Sequence, residues 1–128
     1  MLIVLVDDDR DFIDARPATV LRTSADALAE LSRIRGQGEV VDELWLDHDL
    51  GGDDTAMPVV DMLSETAFND DPFPVRRVYV HSMNNVGAER MMRSLQNYGY
   101  PAIRVKAREH LVVEDRKAVS DGDGTLGL

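Results

Sequence analysis

The stretch LWLDHDLGGDD, residues 44–54, decides how the chain is read. Its apolar start, Leu44, Trp45 and Leu46, stops on Asp47, His48 and Asp49 and then passes into glycine and further acid. A short apolar run bounded by a turn signal has the pattern of a strand buried on both faces. The polar residues that follow it then lie where open parallel sheets gather their ligands, at the carboxyl ends of the strands. A histidine between two carboxylates there suits a phosphoacceptor site with an unusual neighbour, a metal site, or half of an acid–base pair.

Similar Val-, Ile- and Leu-rich runs lie at residues 2–6, 19–21, 78–80 and 103–105. Helical patterns separate them. Thr23, Ser24, Ala25 and Asp26 form a capping signature, and Leu28, Leu31 and Ile34 follow at helical spacing before Gly36. Pro58 suits a first helical turn with Val59, Val60, Leu63 and Ala67 behind it. Asn84 or Asn85 caps a third helix, with Ala88, Met91, Met92, Leu95 and Tyr98 as its buried stripe and Gly99 as its stop. The methionines read as core packing. Alternating strands and helices predict an α/β fold, a three-layer doubly wound five-stranded parallel sheet of flavodoxin-like order 2-1-3-4-5. Only twelve residues separate Val6 from Thr19, and Pro17 interrupts them, so the first helix is reduced to a turn around residues 11–15.

The 128 residues suffice for one domain with a core. The domain is expected over residues 1–119, with residues 120–128, rich in Gly and Asp, as a frayed tail. The DGDG within that tail lacks the rest of a calcium loop, and calcium is not expected there. The net charge of −10 argues against bulk binding to duplex nucleic acid, while leaving room for a small nucleotide or one RNA end in a local pocket. Cysteine is absent, which removes disulfide and thiolate chemistry. No apolar run reaches the roughly 18–20 residues that cross a bilayer. MLIVLV is short, lacks a basic flank and meets three aspartates, so a signal peptide is not expected and a cytoplasmic location is.

The residues after each run carry the chemistry. Asp7, Asp8, Asp9 and Arg10 follow the first, Arg22 and Thr23 the second, and Asp47, His48 and Asp49 the third. His81, Ser82, Asn84 and Asn85 follow the fourth, and Lys106 the fifth. Two of the three histidines thus sit at strand ends, whereas His110 reads as a surface residue. Two carboxylates about 4 Å apart repel by roughly 4 kcal/mol at an effective dielectric of 20. Several converging carboxylates therefore call for a cation or a retained proton. Oxygen-rich sets favour Mg²⁺ or Mn²⁺, and an added imidazole moves the preference toward Mn²⁺ or Zn²⁺. As an acid–base pair the histidines would suit hydrolysis near neutral pH. Flanking carboxylates favour a protonated imidazole, which makes His48 the expected acid and His81 the base. Adjacent residues on a strand point to opposite faces, so His48 need not touch Asp47 and Asp49, its neighbours in sequence.

VLVDDD, LWLD, a hydroxyl residue after the fourth strand and a lysine after the fifth resemble the receiver domains of two-component response regulators over nearly the whole chain. That resemblance implies Mg²⁺ on Asp7 and Asp8, phosphate acceptance by Asp47, and Lys106 as the partnering lysine. The departures are as informative. His81 stands where receivers place the switch Thr or Ser, Ala107 replaces the usual proline, and the first helix, a common kinase-docking surface, is reduced. LDHDLGG, HSMN and VDDDR are more similar to the receiver-like family thought to process cyclic phosphates at nucleotide or RNA ends.

The expected activity is therefore that of a cyclic-phosphate phosphodiesterase. His48, His81, Asp47 and Asp49 would be catalytic. A metal would sit on Asp7, Asp8 and Asp47. Arg22, Ser82, Asn84 and Lys106 would hold the phosphate, aided by the helix N-terminus after Asn84. A phosphoacceptor signalling domain and a non-catalytic binding module are the alternatives. Trp45 is expected in the core, leaving Phe12, Tyr98 and Tyr100 for base stacking, which favours a site that reads phosphate over one that reads the base.

Overall fold

The computed structural model describes residues 1–113. Strands β1 (Ile3–Val6), β3 (Thr19–Leu21), β4 (Glu43–Leu46), β5 (Val78–Val80) and β6 (Ala102–Arg104) form a parallel sheet of order β3-β1-β4-β5-β6. This is the expected five-stranded order, with β1 and β4 as the strands flanking the point where the winding reverses. The expected tail and its DGDG, and the far boundary of the domain at residue 119, lie outside the described residues.

Helices α1 (Ser24–Gly36), α2 (Met57–Phe68) and α3 (Asn85–Asn97) cover one face. The Thr23 side chain accepts the Asp26 N–H at 3.1 Å, and Asn84 Oδ1 accepts the Gly87 N–H at 3.0 Å, so the first and third helices are capped as their sequences suggest. Pro58 takes the first turn of α2. Val4, Val6, Leu44, Leu46, Val78 and Val80 point at these helices and meet Leu31, Ile34, Val60, Leu63, Met91 and Leu95. Tyr98 departs from the expected stripe. It forms the C-cap of α3 and is exposed.

The other face is closed by β-structure. Residues expected to make a helical turn instead form β2 (Arg10–Phe12), which pairs antiparallel with β7 (Leu111–Val113). A 3₁₀ turn, Ala107–Glu109, leads into β7. The ribbon drops Phe12 and Leu111 onto Ile3, Leu5 and Trp45. A three-residue strand needs fewer residues to cross the sheet than a helix, which is how twelve residues join β1 to β3. Trp45 is buried with its indole N–H on Glu43 at 2.9 Å, stacked on Tyr79 at 4.3 Å and edge-on to Phe12 at 5.0 Å. No helix among the described residues is long and apolar enough to cross a membrane.

Candidate functional site

The strand period of two builds the site. Leu5, Trp45 and Tyr79 face the ribbon, so two residues later Asp7, Asp47 and His81 emerge on that same face. The ladder continues beneath them. The Asp7 N–H reaches Leu21 O at 3.1 Å, the Asp47 N–H Val6 O at 3.0 Å, and the His81 N–H Leu46 O at 3.0 Å. All three side chains are buried, His81 completely. His48 leaves on the opposite pleat, against Gly87 of α3, whereas Ser82 hydrogen-bonds Asp47.

Asp7 is the hub. Its Oδ1 accepts the N–H groups of Asp9 and Arg10 at 3.0 and 2.9 Å, and its Oδ2 lies 3.0 Å from His81 Nε2. Burial pushes the Asp7 carboxyl upward. The His81 hydrogen bond, the Asp9 N–H and the charges of His81 and Arg10 outweigh burial and leave it below the usual range. Asp47 is pushed the other way, up to about 6, by burial and by the charge of Asp7. His81, a hydrogen bond with Ser82, and Arg10 only partly offset this. Arg10 Nη1 stands between the carboxylates, 3.5 Å from Asp7 Oδ2 and 3.4 Å from Asp47 Oδ2, long distances for ion pairs. His81 Nδ1 is buried without a hydrogen-bond partner among the described residues.

This cluster is short of positive charge. Asp7, Asp47 and His81 can each offer one ligand atom with all three atoms within 4.8 Å of one another. At that separation two carboxylates repel by roughly 3–4 kcal/mol at an effective dielectric of 20. Two carboxylate oxygens suit a hard divalent cation with water completing its shell, and an imidazole among the ligands would move the preference toward Mn²⁺ or Zn²⁺. Asp8 belongs to a second, more exposed group with Asp7 and Asp9, and its carboxylate lies against Gly51.

His48 and Asp49 form a separate pair on the helix side. His48 Nδ1 is 2.7 Å from Asp49 Oδ1, and Asn84 Nδ2 donates to both Asp49 oxygens at 3.3 Å. The hydrogen bond with His48, helped by Asn84, holds the Asp49 carboxyl below its usual range despite some desolvation. The imidazole packs flat on Gly87 of α3. A Cβ there would lie 2.4 Å from His48 Cγ, so the ring's place exists because residue 87 has no side chain. Gly51 and Gly52, at φ 89° and 55°, turn the loop that follows, and Asp54 returns to accept from the N–H and hydroxyl of Ser24 at the start of α1. No hydrogen bond or ring contact joins His48 to His81 among the described residues.

Other expected ligands take different places. Arg22 donates to the carbonyls of Asp7 and Arg10 at 3.1 and 2.6 Å and to Asp11, bracing the loop after β1 instead of lining the phosphate path. Lys106 does line a cleft, of about 990 Å³, that starts at Arg10 and Ser82 and runs along β6 and the ribbon. His110, expected on the surface, is half-buried there with its ring 5.2 Å from Trp45. Phe12 and Tyr100 are buried, and Tyr98 sits at the far end of α3, so none of the three stacking candidates serves this end of the sheet. The sequence did not single out Arg10 as the bridge between carboxylates. The one cation following three aspartates was the available signal.

No match was found among curated proteins. Among solved structures, a mutant receiver domain of the histidine kinase CKI1 from Arabidopsis thaliana aligns at 15% identity, over 82% of this chain and 79% of that one, with a TM-score of 0.47. The cyclic-phosphate processing receiver domain matches residues 2–97, three quarters of the sequence, and with the parallel sheet and strand-end cluster in place the chain belongs to that family.

Proposed function

We propose that the chain hydrolyses cyclic phosphates of nucleotides or RNA ends. The observation that carries this reading is the pairing, at one end of the sheet, of the buried Asp7–Asp47–His81 cluster on one face with an imidazole held by a carboxylate, His48 on Asp49, on the other. Hydrolysis adds water to phosphorus, breaks the bond to one ribose oxygen, and returns one proton to that oxygen. A single imidazole balances this: it takes the proton from water and gives it to the leaving oxygen. Asp49 fixes its orientation and stabilises the charged form between the two transfers. Such acid–base help is worth about 10²–10⁴-fold.

His81 is fully buried on Asp7, which suits it to holding that carboxylate in place better than to activating solvent water. Asp7 and Asp47 are the residues that would hold Mg²⁺ or Mn²⁺, with Asp8 close by and His81 holding Asp7 in place. A cation there would offset phosphoryl charge and acidify a bound water. Lys106, at the adjoining cleft, would meet nonbridging oxygens.

The test is turnover of a short RNA ending in a 2′,3′-cyclic phosphate with Mg²⁺ or Mn²⁺ present, comparing wild type with His48→Gln. Wild type should open the ring to a monoester, and the variant should lose about 10²–10⁴-fold. A wild type inert with both metals refutes the proposal. Labelling of Asp47 by acetyl phosphate, without ring opening, would instead support a phosphoacceptor.

A further inference from the structure

The wall of the cleft beside the cluster carries more cations than the reacting phosphate needs. Arg10, Arg104, Lys106 and Arg108 line it against one carboxylate, Glu109. The chain as a whole carries 24 acidic and 14 basic residues, so this balance is inverted relative to the rest of the molecule. Arg10 is bound to the acid cluster. Arg104 spends its guanidinium on neutral acceptors, Ser82 O at 3.0 Å and Asn85 Oδ1 at 2.9 Å, and has no ion pair among the described residues. Lys106 and Arg108 are exposed and have no ion pair among the described residues. Between the cations the lining is apolar. Ile13 and Met83, 55% and 76% exposed, are side chains that solvent alone does not favour in such positions. At about 990 Å³ the cleft lies at the upper end of the volumes that hold small ligands and exceeds the needs of one cyclic phosphate.

From this arrangement we infer that the cleft is a subsite for the strand leading to the reacting end. Its ligand is a short single-stranded oligonucleotide whose 5′-side phosphates meet Arg104, Lys106 and Arg108 and whose bases or sugars cover Ile13 and Met83. The inference rests on the proposed phosphoesterase reading and narrows its substrate class from mononucleotides to strand ends. Cations spaced along an apolar floor match a ligand that alternates phosphate with apolar rings. The acidic remainder of the surface repels a long duplex, which confines recognition to the last few nucleotides.

The test uses the full chain and RNAs of one, two, three and five nucleotides. One set ends in a 3′-phosphate, for binding by fluorescence anisotropy. The other ends in a 2′,3′-cyclic phosphate, for KM. Affinity should rise with each added phosphodiester up to two or three and then level off. Log affinity should fall with log salt at about −0.7 per phosphate engaged. In Arg108→Gln the salt slope should shrink by about 0.7 and the advantage of the longer RNAs should diminish. Affinity independent of length, an unaltered slope in the variant, or equal binding of a poly-aspartate peptide of matched charge would overturn the inference. Length-dependent binding without ring opening supports the subsite and rejects the phosphoesterase reading. Ring opening with the same KM for mononucleotide and pentanucleotide does the reverse.

Discussion

Replacing Asp47 by Asn should stabilise the fold while impairing the chemistry. Burial beside Asp7 pushes the Asp47 carboxyl up to about 6, against an ordinary 3.8. The folded protein therefore binds a proton more tightly than the unfolded chain does. Stability on this account is greatest below about pH 4, falls as the pH rises from about 4 to 6, and stays lower above that. The loss amounts to about 3 kcal/mol at neutral pH, at 1.36 kcal/mol per tenfold. Asn matches the protonated carboxyl in shape and never ionises, so it escapes this loss. It also forfeits the long Arg10 contact at 3.4 Å, which leaves a gain of about 1–3 kcal/mol at pH 7. For a domain of this size that is a rise in Tm of roughly 3–12 °C. Urea titrations of Asp47→Asn and wild type, with chelator, at pH 4 and pH 7 measure it. The difference should be near zero at pH 4 and favour Asn at pH 7. A variant no more stable than wild type at pH 7, or a gain that persists unchanged at pH 4, would show that Asp47 is not held charged against its surroundings.

Three further outcomes are expected. Mg²⁺ or Mn²⁺ should raise the Tm of wild type, by about 2.7 kcal/mol of stability at a hundredfold excess over Kd, and should leave Asp47→Asn unmoved in a thermal melt. Gly87→Ala gains about 1 kcal/mol of helix propensity but drives Cβ to 2.4–2.7 Å from three His48 ring atoms, at an overpacking cost of about 1–3 kcal/mol. Its stability should change little while turnover falls tenfold or more, and unchanged turnover would remove His48 from the mechanism. Tyr100→Phe leaves the Phe73 N–H without its buried partner, while Leu63 O keeps the Thr66 hydroxyl, and should lower stability by about 1–3 kcal/mol in urea with an unchanged m-value.

The sheet was legible because its central strands are buried on both faces, which forces unbroken apolar runs such as IVLV and LWL. The caps were legible because Thr23 and Asn84 act within three residues of themselves. The ribbon was not, since Arg10 pairs with Val113 across most of the chain and RDF carries no alternation of its own. The bracing by Arg22 was not legible either, since two of its acceptors are the Asp7 and Arg10 carbonyls and the sequence shows side chains only. The separation of His48 from His81 could be foreseen. One falls two residues past its strand and the other one residue past, which the strand period assigns to opposite faces.

The ribbon also bears on the order in which the protein becomes competent during synthesis. Arg10 owes its position to β2, and β2 has a partner only once residues 111–113 have left the ribosome. A nascent chain can assemble the five parallel strands and bring Asp7, Asp47 and His81 together while the segment that carries the bridging guanidinium still lacks its pairing. The longest-range contact then closes last, because its loop is the most costly in entropy. The pairing of β2 thereby waits for residues 111–113, and a chain cut short after β6 would hold an acid cluster without its built-in cation firmly in place.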